Sequence, residues 1–131
     1  MVTSNNHNSS ASIGAKGEAI AAYYVQKSRG ARVLERNVKL GRGEIDIIAE
    51  EGKTLVFIEV KTSAGASPGF RPEVHMNASK QRTLRRLALL YLAKRRKPVD
   101  GPWRIDHIAV VLYEGEAPRV RYYENAGGEY R

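Results

Sequence analysis

The chain has 131 residues, with 22 Lys and Arg against 14 Asp and Glu for a formal charge of +8, and it has no cysteine. That length suits one domain able to bury roughly two thirds of its unfolded surface without covalent staples. The missing cysteines exclude disulfides, iron–sulfur clusters, thiol catalysis and cysteine-bound zinc, so any metal falls to oxygen ligands or to the three histidines.

Residues 1–12 are rich in Asn and Ser with little to bury and read as a disordered tail, His7 included, leaving 13–131 as a single domain. Residues 13–28 have helical spacing, with Ala15, Ala19, Ala22, Tyr23 and Val25 on or near one face and Gly30 as the stop. Glu18 falls on that packed face, where a carboxylate needs a partner. Residues 31–38 read as a first strand, and Leu40-Gly41-Arg42-Gly43 as a flexible approach to a hairpin.

The hairpin carries the most information. Gly43-Glu44-Ile45-Asp46-Ile47-Ile48 and Leu55-Val56-Phe57-Ile58-Glu59-Val60-Lys61 are apolar runs holding isolated charges. Burying such a charge costs roughly several kcal/mol unless it is paired or bound. Alternation puts Leu55, Phe57, Glu59 and Lys61 on one face. With Glu50-Glu51-Gly52-Lys53 as the turn and Ala49 paired to Thr54, Asp46 stands opposite Phe57, diagonal to Glu59 and on the same face. Two carboxylates at that spacing can share one hard divalent cation, whereas a slip of one residue would turn Asp46 away. A blander reading also fits: Glu59 and Lys61 as a partly exposed ion pair worth about 0 to 1 kcal/mol, and Asp46 as a turn-facing residue.

After Lys61 comes a Gly/Ser/Pro loop, either a binding element or a plain connector. Residues 77–94 form a second helix with Leu84, Leu87, Ala88, Tyr91 and Leu92 as its core stripe. Its other side carries Lys80, Arg82, Arg85 and Arg86, a phosphate-contacting face, and Lys94-Arg95-Arg96-Lys97 at its end partly serves the helix dipole. Residues 98–102 break the chain before strands at 103–113 and 119–123, the last an edge that would permit a homodimer. The order predicts an α/β domain with a mixed central sheet of about five strands flanked by helices.

No phosphate-binding Gly-rich loop, His-Glu-x-x-His or Gly-x-Ser-x-Gly motif is present. His75 and His107 lack ligand spacing and read as surface or core residues. Asp46 followed by Glu59-Val60-Lys61 resembles the signature of the PD-(D/E)xK nuclease superfamily. Gly17-Glu18-x-x-Ala21, Glu35-Arg36-Asn37, Gly43-Glu44-Ile45-Asp46, Phe57-Ile58-Glu59-Val60-Lys61, Lys80 and Arg104-Ile105-Asp106 extend the likeness to the YraN-like family. Ile45 stands where the superfamily name has proline, and Ser63 where close relatives often carry a basic residue.

The resemblance implies a restriction-endonuclease-like fold related to Holliday-junction resolvases. It also implies a Mg²⁺ or Mn²⁺ site at Asp46, Glu59, the Val60 carbonyl and Glu18, with Lys61 acting on water or phosphate. Glu44 is read as lying on the opposite face of its strand, a turn or supporting residue. The expected function is metal-dependent endonucleolytic cleavage of DNA, branched or damaged DNA included. The alternatives are a noncatalytic nucleic-acid-binding module of a repair or recombination assembly, and a protein-binding scaffold. The positive charge favours nucleic acid as partner. No apolar run approaches about 18 residues, and the start lacks signal-peptide character, so the expected location is cytoplasmic.

Overall fold

The computed structural model describes residues 10–65, 78–97 and 101–125. Helix α1 (Ser10–Arg29) leads into strands β1 (Arg32–Leu40), β2 (Gly43–Glu51) and β3 (Thr54–Ala64). Helix α2 (Ala78–Lys94) follows, then β4 (Trp103–Leu112) and β5 (Arg119–Tyr123). The strands form one sheet in the order β1-β2-β3-β4-β5. All neighbours are antiparallel except β3 and β4, the parallel pair that α2 connects. This mixed five-stranded sheet with two helices is consistent with the restriction-endonuclease-like architecture.

A parallel pair needs a crossover, and its helix buries the adjoining sheet face. Leu84, Leu87, Ala88, Tyr91 and Leu92, the stripe expected of α2, pack on Leu40, Ile45, Ile48, Phe57, Trp103 and Ile105. Phe57 meets Tyr91 and Trp103 edge-on, at centroid distances of 5.5 and 5.9 Å. On the other face Ala21, Ala22 and Val25 of α1 cover Ile47, Ala49, Val56, Ile58, Ile108 and Val110. The cations ending α2 are partly structural, because Arg95 pairs with Glu35 at 2.7 Å and Tyr91 donates its hydroxyl hydrogen to the same carboxylate at 2.6 Å.

Four expectations are corrected. Residues 10–12 are helical rather than part of a tail, and 62–64, read as the start of the Gly/Ser/Pro loop, still belong to β3, while 1–9, 66–69 and residue 75 lie outside the described residues. The packed face of α1 is Gly17, Ala21, Ala22 and Val25; Ala15 and Ala19 are exposed, and Tyr23 is 65% exposed. The hairpin register is two residues from the expected one, since Glu51 pairs with Thr54 and Ala49 with Val56. Gly52-Lys53 alone makes the turn, with Gly52 at φ 62°, and Gly41-Arg42 turns the preceding hairpin with Gly41 at φ 60°. Glycine first in a two-residue loop matches the right-handed twist of the strands, so β2 runs two residues further into the turn while β3 still begins at Thr54.

Candidate metal centre and nucleic-acid interface

The acidic residues converge where β2 and β3 part. Their ladder ends at the pair Ile47 and Ile58. Beyond it the Val60 N–H donates to Asp46 Oδ2 at 2.7 Å, so a carboxylate takes the place of a strand carbonyl. Strand β2 also changes sides here. Ile45 packs toward α2 and Ile47 toward α1, although residues two apart in a regular strand share a face. Asp46 is thereby directed to the α1 side.

There it meets Glu18 and Glu44, with one carboxylate oxygen of each lying within 4.8 Å of the others. Glu44 is therefore on the same side as Asp46 and beside it, not on the opposite face. Glu18 arrives because α1 lies close to the sheet at Gly17: a Cβ there would overlap the Thr62 side chain of β3. Gly17→Ala should lower unfolding free energy by about 1 to 3 kcal/mol, because overpacking outweighs the roughly 1 kcal/mol helix-propensity gain. Urea denaturation checks this, and an unchanged midpoint would contradict the close approach.

Glu59 has a different environment. The side chains of Phe57 and Leu55 place the odd-numbered face of β3 toward α2, and Glu59 follows, its Oε1 lying 3.4 Å from Lys80 Nζ. Its Oε2 lies 3.4 Å from His107 Nε2. Asp46 and Glu59 thus approach the fork from two sides of the sheet rather than from one face. Lys61 is exposed, two residues further along the same side of β3.

The two carboxylates differ in charge state. Burial is the main cause pushing Asp46 up; the Val60 N–H opposes it, but Glu18, Glu59 and Glu44 add to the rise and the carboxyl sits at about 6. Glu18 is also raised, by burial and by Glu44, against the pull of Arg36. Burial raises Glu59 too, yet His107 and Lys80 outweigh it and hold the group below its ordinary value. The α1 side of the fork therefore has an excess of negative charge that its own cations do not balance. An all-oxygen carboxylate set of this kind fits a hard divalent ion such as Mg²⁺ or Mn²⁺.

Of the basic face, Lys80 turns to Glu59 and Arg85 lies over the Trp103 ring at 5.9 Å, while Arg82 and Arg86 are exposed. Arg82, Arg85 and Arg86 border an open groove of about 400 Å³ with Leu89 and Leu90. The sequence reading put Glu44 on the opposite face of its strand and did not connect the core residue His107 with Glu59. Glu44 was detectable from its even spacing to Asp46. His107 could be suspected only as the one imidazole inside the apolar run of β4.

On the α1 side of β4, Asp106 is 0% exposed. It accepts from Arg104 Nε at 3.1 and 2.9 Å, from the Asn125 N–H at 2.8 Å and from the Tyr122 hydroxyl. Arg104 continues to Glu51 at 2.7 Å, which Arg29 of α1 also holds at 2.7 Å. The Arg104-Ile105-Asp106 motif is thus a structural clamp joining α1, the β2–β3 turn, β4 and β5.

Among the described residues no helix is long and apolar enough to cross a membrane. A protein of Geobacter metallireducens bearing the name UPF0102 protein is 40% identical over 115 residues, covering 88% of this chain and 91% of the relative. One from Symbiobacterium thermophilum is 43% identical over 114 residues, 87% of this chain and 94% of its own. Another, from Chlorobaculum tepidum, is 42% identical over 115 residues, 86% of this chain and 84% of its own. The model of uncharacterised protein family UPF0102 matches residues 17–110, from Gly17 beside the acidic cluster through Asp46, Glu59 and Arg104-Ile105-Asp106 to near the end of β4, and the chain belongs to that family.

Proposed function

We propose that the protein is a metal-dependent endonuclease-like enzyme that hydrolyses phosphodiester bonds in DNA, branched or damaged DNA among its substrates. The observation that carries this reading is the meeting of Glu18, Glu44 and Asp46 within 4.8 Å at the fork where Glu59 also arrives, in a chain of charge +8. Asp46, Glu18, Glu59 and the Val60 carbonyl would hold Mg²⁺ or Mn²⁺, with Glu44 added to the set. When bound there, the ion supplies Lewis acidity toward a phosphoryl oxygen and a water of lowered pKa.

The chain's own residues do the rest. Lys61, exposed beside Glu59, orients the attacking water or neutralises charge developing on the phosphate. Lys80 ties α2 to Glu59, so the basic helix face is registered against the site. Arg82, Arg85 and Arg86 offer charge to backbone phosphates, which position a duplex without reading its sequence.

Supercoiled, single-stranded, double-stranded and four-way-junction DNA, each with Mg²⁺ or Mn²⁺, test the proposal. At least one should be cut, and Asp46→Asn, Glu59→Gln or Lys61→Met should each slow cutting by about 10²-fold or more. Absence of cleavage on every substrate with either metal would sink the enzymatic reading. One observation favours a noncatalytic DNA-binding module instead: both Glu59 oxygens already face protein groups, the Lys80 ammonium and the His107 ring. That module would show steep salt-dependent binding unchanged by Asp46→Ala or Glu59→Ala.

A further inference from the structure

His107 is only 2% exposed, and among the described residues neither ring nitrogen has a hydrogen-bond partner. A buried polar group left so costs about 1 to 3 kcal/mol, and valine or isoleucine would suit this β4 position, flanked as it is by an apolar run, without that cost. Packing therefore gives no reason for an imidazole here. The parallel register does: Glu59 and His107 are direct cross-strand partners on the face toward α2. Their side chains stand together, His107 Nε2 at 3.4 Å from Glu59 Oε2, an oxygen that is itself buried and otherwise unpartnered.

We propose that His107 is a positioning residue for Glu59, its Nε2–H fixing Oε2 so that the carboxylate is pre-set at the edge of the acidic cluster. The 3.4 Å separation is longer than a formed hydrogen bond, so a small rotation of either side chain is needed to close it. Lys80 Nζ, 3.4 Å from Oε1 on the exposed side, is the more easily displaced of the two holders, because it stands on a flexible stem at the start of α2. With Oε2 fixed, Oε1 is the oxygen left to turn toward a cation when Lys80 gives way. Carboxylates held in this way by a second group bind metals more tightly than free ones. The consequence for metal binding rests on the site reading above; the fixing of Glu59 does not.

Two measurements test it. In metal-free protein, the ring nitrogen NMR spectrum of His107 should show one tautomer, protonated at Nε2, and Glu59→Ala should abolish that preference. An identical His107 spectrum in the two proteins overturns the proposal, whether or not metal binds. In calorimetry with Mn²⁺ alone, His107→Val should weaken binding about 10- to 100-fold, while its melting temperature stays equal to or above that of the parent. His107→Gln, which can bring an amide N–H to the same place, should recover most of the affinity. His107→Val binding Mn²⁺ like the parent overturns the proposal, and so does His107→Gln binding no better than His107→Val. If the parent binds no Mn²⁺ but the Glu59-dependent tautomer is present, the metal reading falls and the positioning role stands.

Discussion

Replacing Asp106 by alanine is expected to destabilise the fold by about 3 to 5 kcal/mol, a large part of the roughly 5 to 15 kcal/mol that holds a domain of this kind together. The carboxylate is wholly buried and receives both contacts from Arg104 Nε, the Asn125 N–H and the Tyr122 hydroxyl. Its removal leaves those donors facing a cavity. Arg104, only 16% exposed at its side chain, would keep Glu51 but lose its buried counter-charge. The cost arises from stranding the partners rather than from a large intrinsic worth of the ion pair. Hence the triple replacement Asp106→Leu, Arg104→Met and Tyr122→Phe should be less harmful than Asp106→Ala alone. Urea denaturation of the three proteins decides it; an Asp106→Ala domain within about 1 kcal/mol of the parent would contradict the clamp.

The second large effect has the opposite sign. Asp46→Asn should raise stability at pH 7 by about 2 to 3 kcal/mol, because the native fold holds this carboxyl up at about 6 against an ordinary 3.8. The folded state binds the proton more tightly than the unfolded chain. Between about pH 4 and 6 the native protein therefore carries more protons, and stability falls as pH rises through that window. The penalty is fully present above it and absent below it. Asparagine can still accept from the Val60 N–H while adding no charge to Glu18, Glu44 and Glu59. The gain of Asp46→Asn should thus vanish by about pH 4, and denaturation curves at pH 4 and pH 7 measure it. A variant less stable than its parent at pH 7 would mean that the acidic cluster is not strained. Such a trade of stability for a charged site is common where function needs it.

How much of this was legible in the sequence depended on whether local pattern or long-range contact set each feature. The α2 stripe from Leu84 to Leu92 is where the spacing put it, because leucines at helical intervals admit one buried face. The β5 bounds at 119–123 match the expected strand, because alternating Val and Tyr flanked by turns leave little choice. Helix α1 was misread because alanines at 15, 19, 21 and 22 do not distinguish faces. The close approach at Gly17, invisible to periodicity, selects the true one. The hairpin slipped by two because Glu50 and Glu51 look like turn residues, whereas Gly52-Lys53 suffices and Glu51 is drawn into the ladder by Arg29 and Arg104.

The site divides in the same way. Asp46, Glu59 and Lys61 stood out as charges among aliphatics, and Glu18 as a carboxylate on a helix face. Their arrangement around the fork depended on the change of side in β2 between Asp46 and Ile47, which no alternation rule anticipates. Glu44 stands beside Asp46 by ordinary alternation; the irregularity turns the two together to the α1 side and leaves Glu59 to Lys80 and His107. The clamp at Asp106 joins residues from α1, β2, β4 and β5, partners that only the folded chain brings together.

The claim at the centre is that the fork of β2 and β3 is a divalent-cation site whose charge is strained until the ion is there. Calorimetric titration of Mn²⁺ into the parent protein and into Asp46→Asn at pH 7 tests it most directly. The parent should bind the ion, and Asp46→Asn should give no saturable heat although it folds at least as well. A parent without saturable Mn²⁺ binding, or an Asp46→Asn variant that binds as the parent does, would contradict the account.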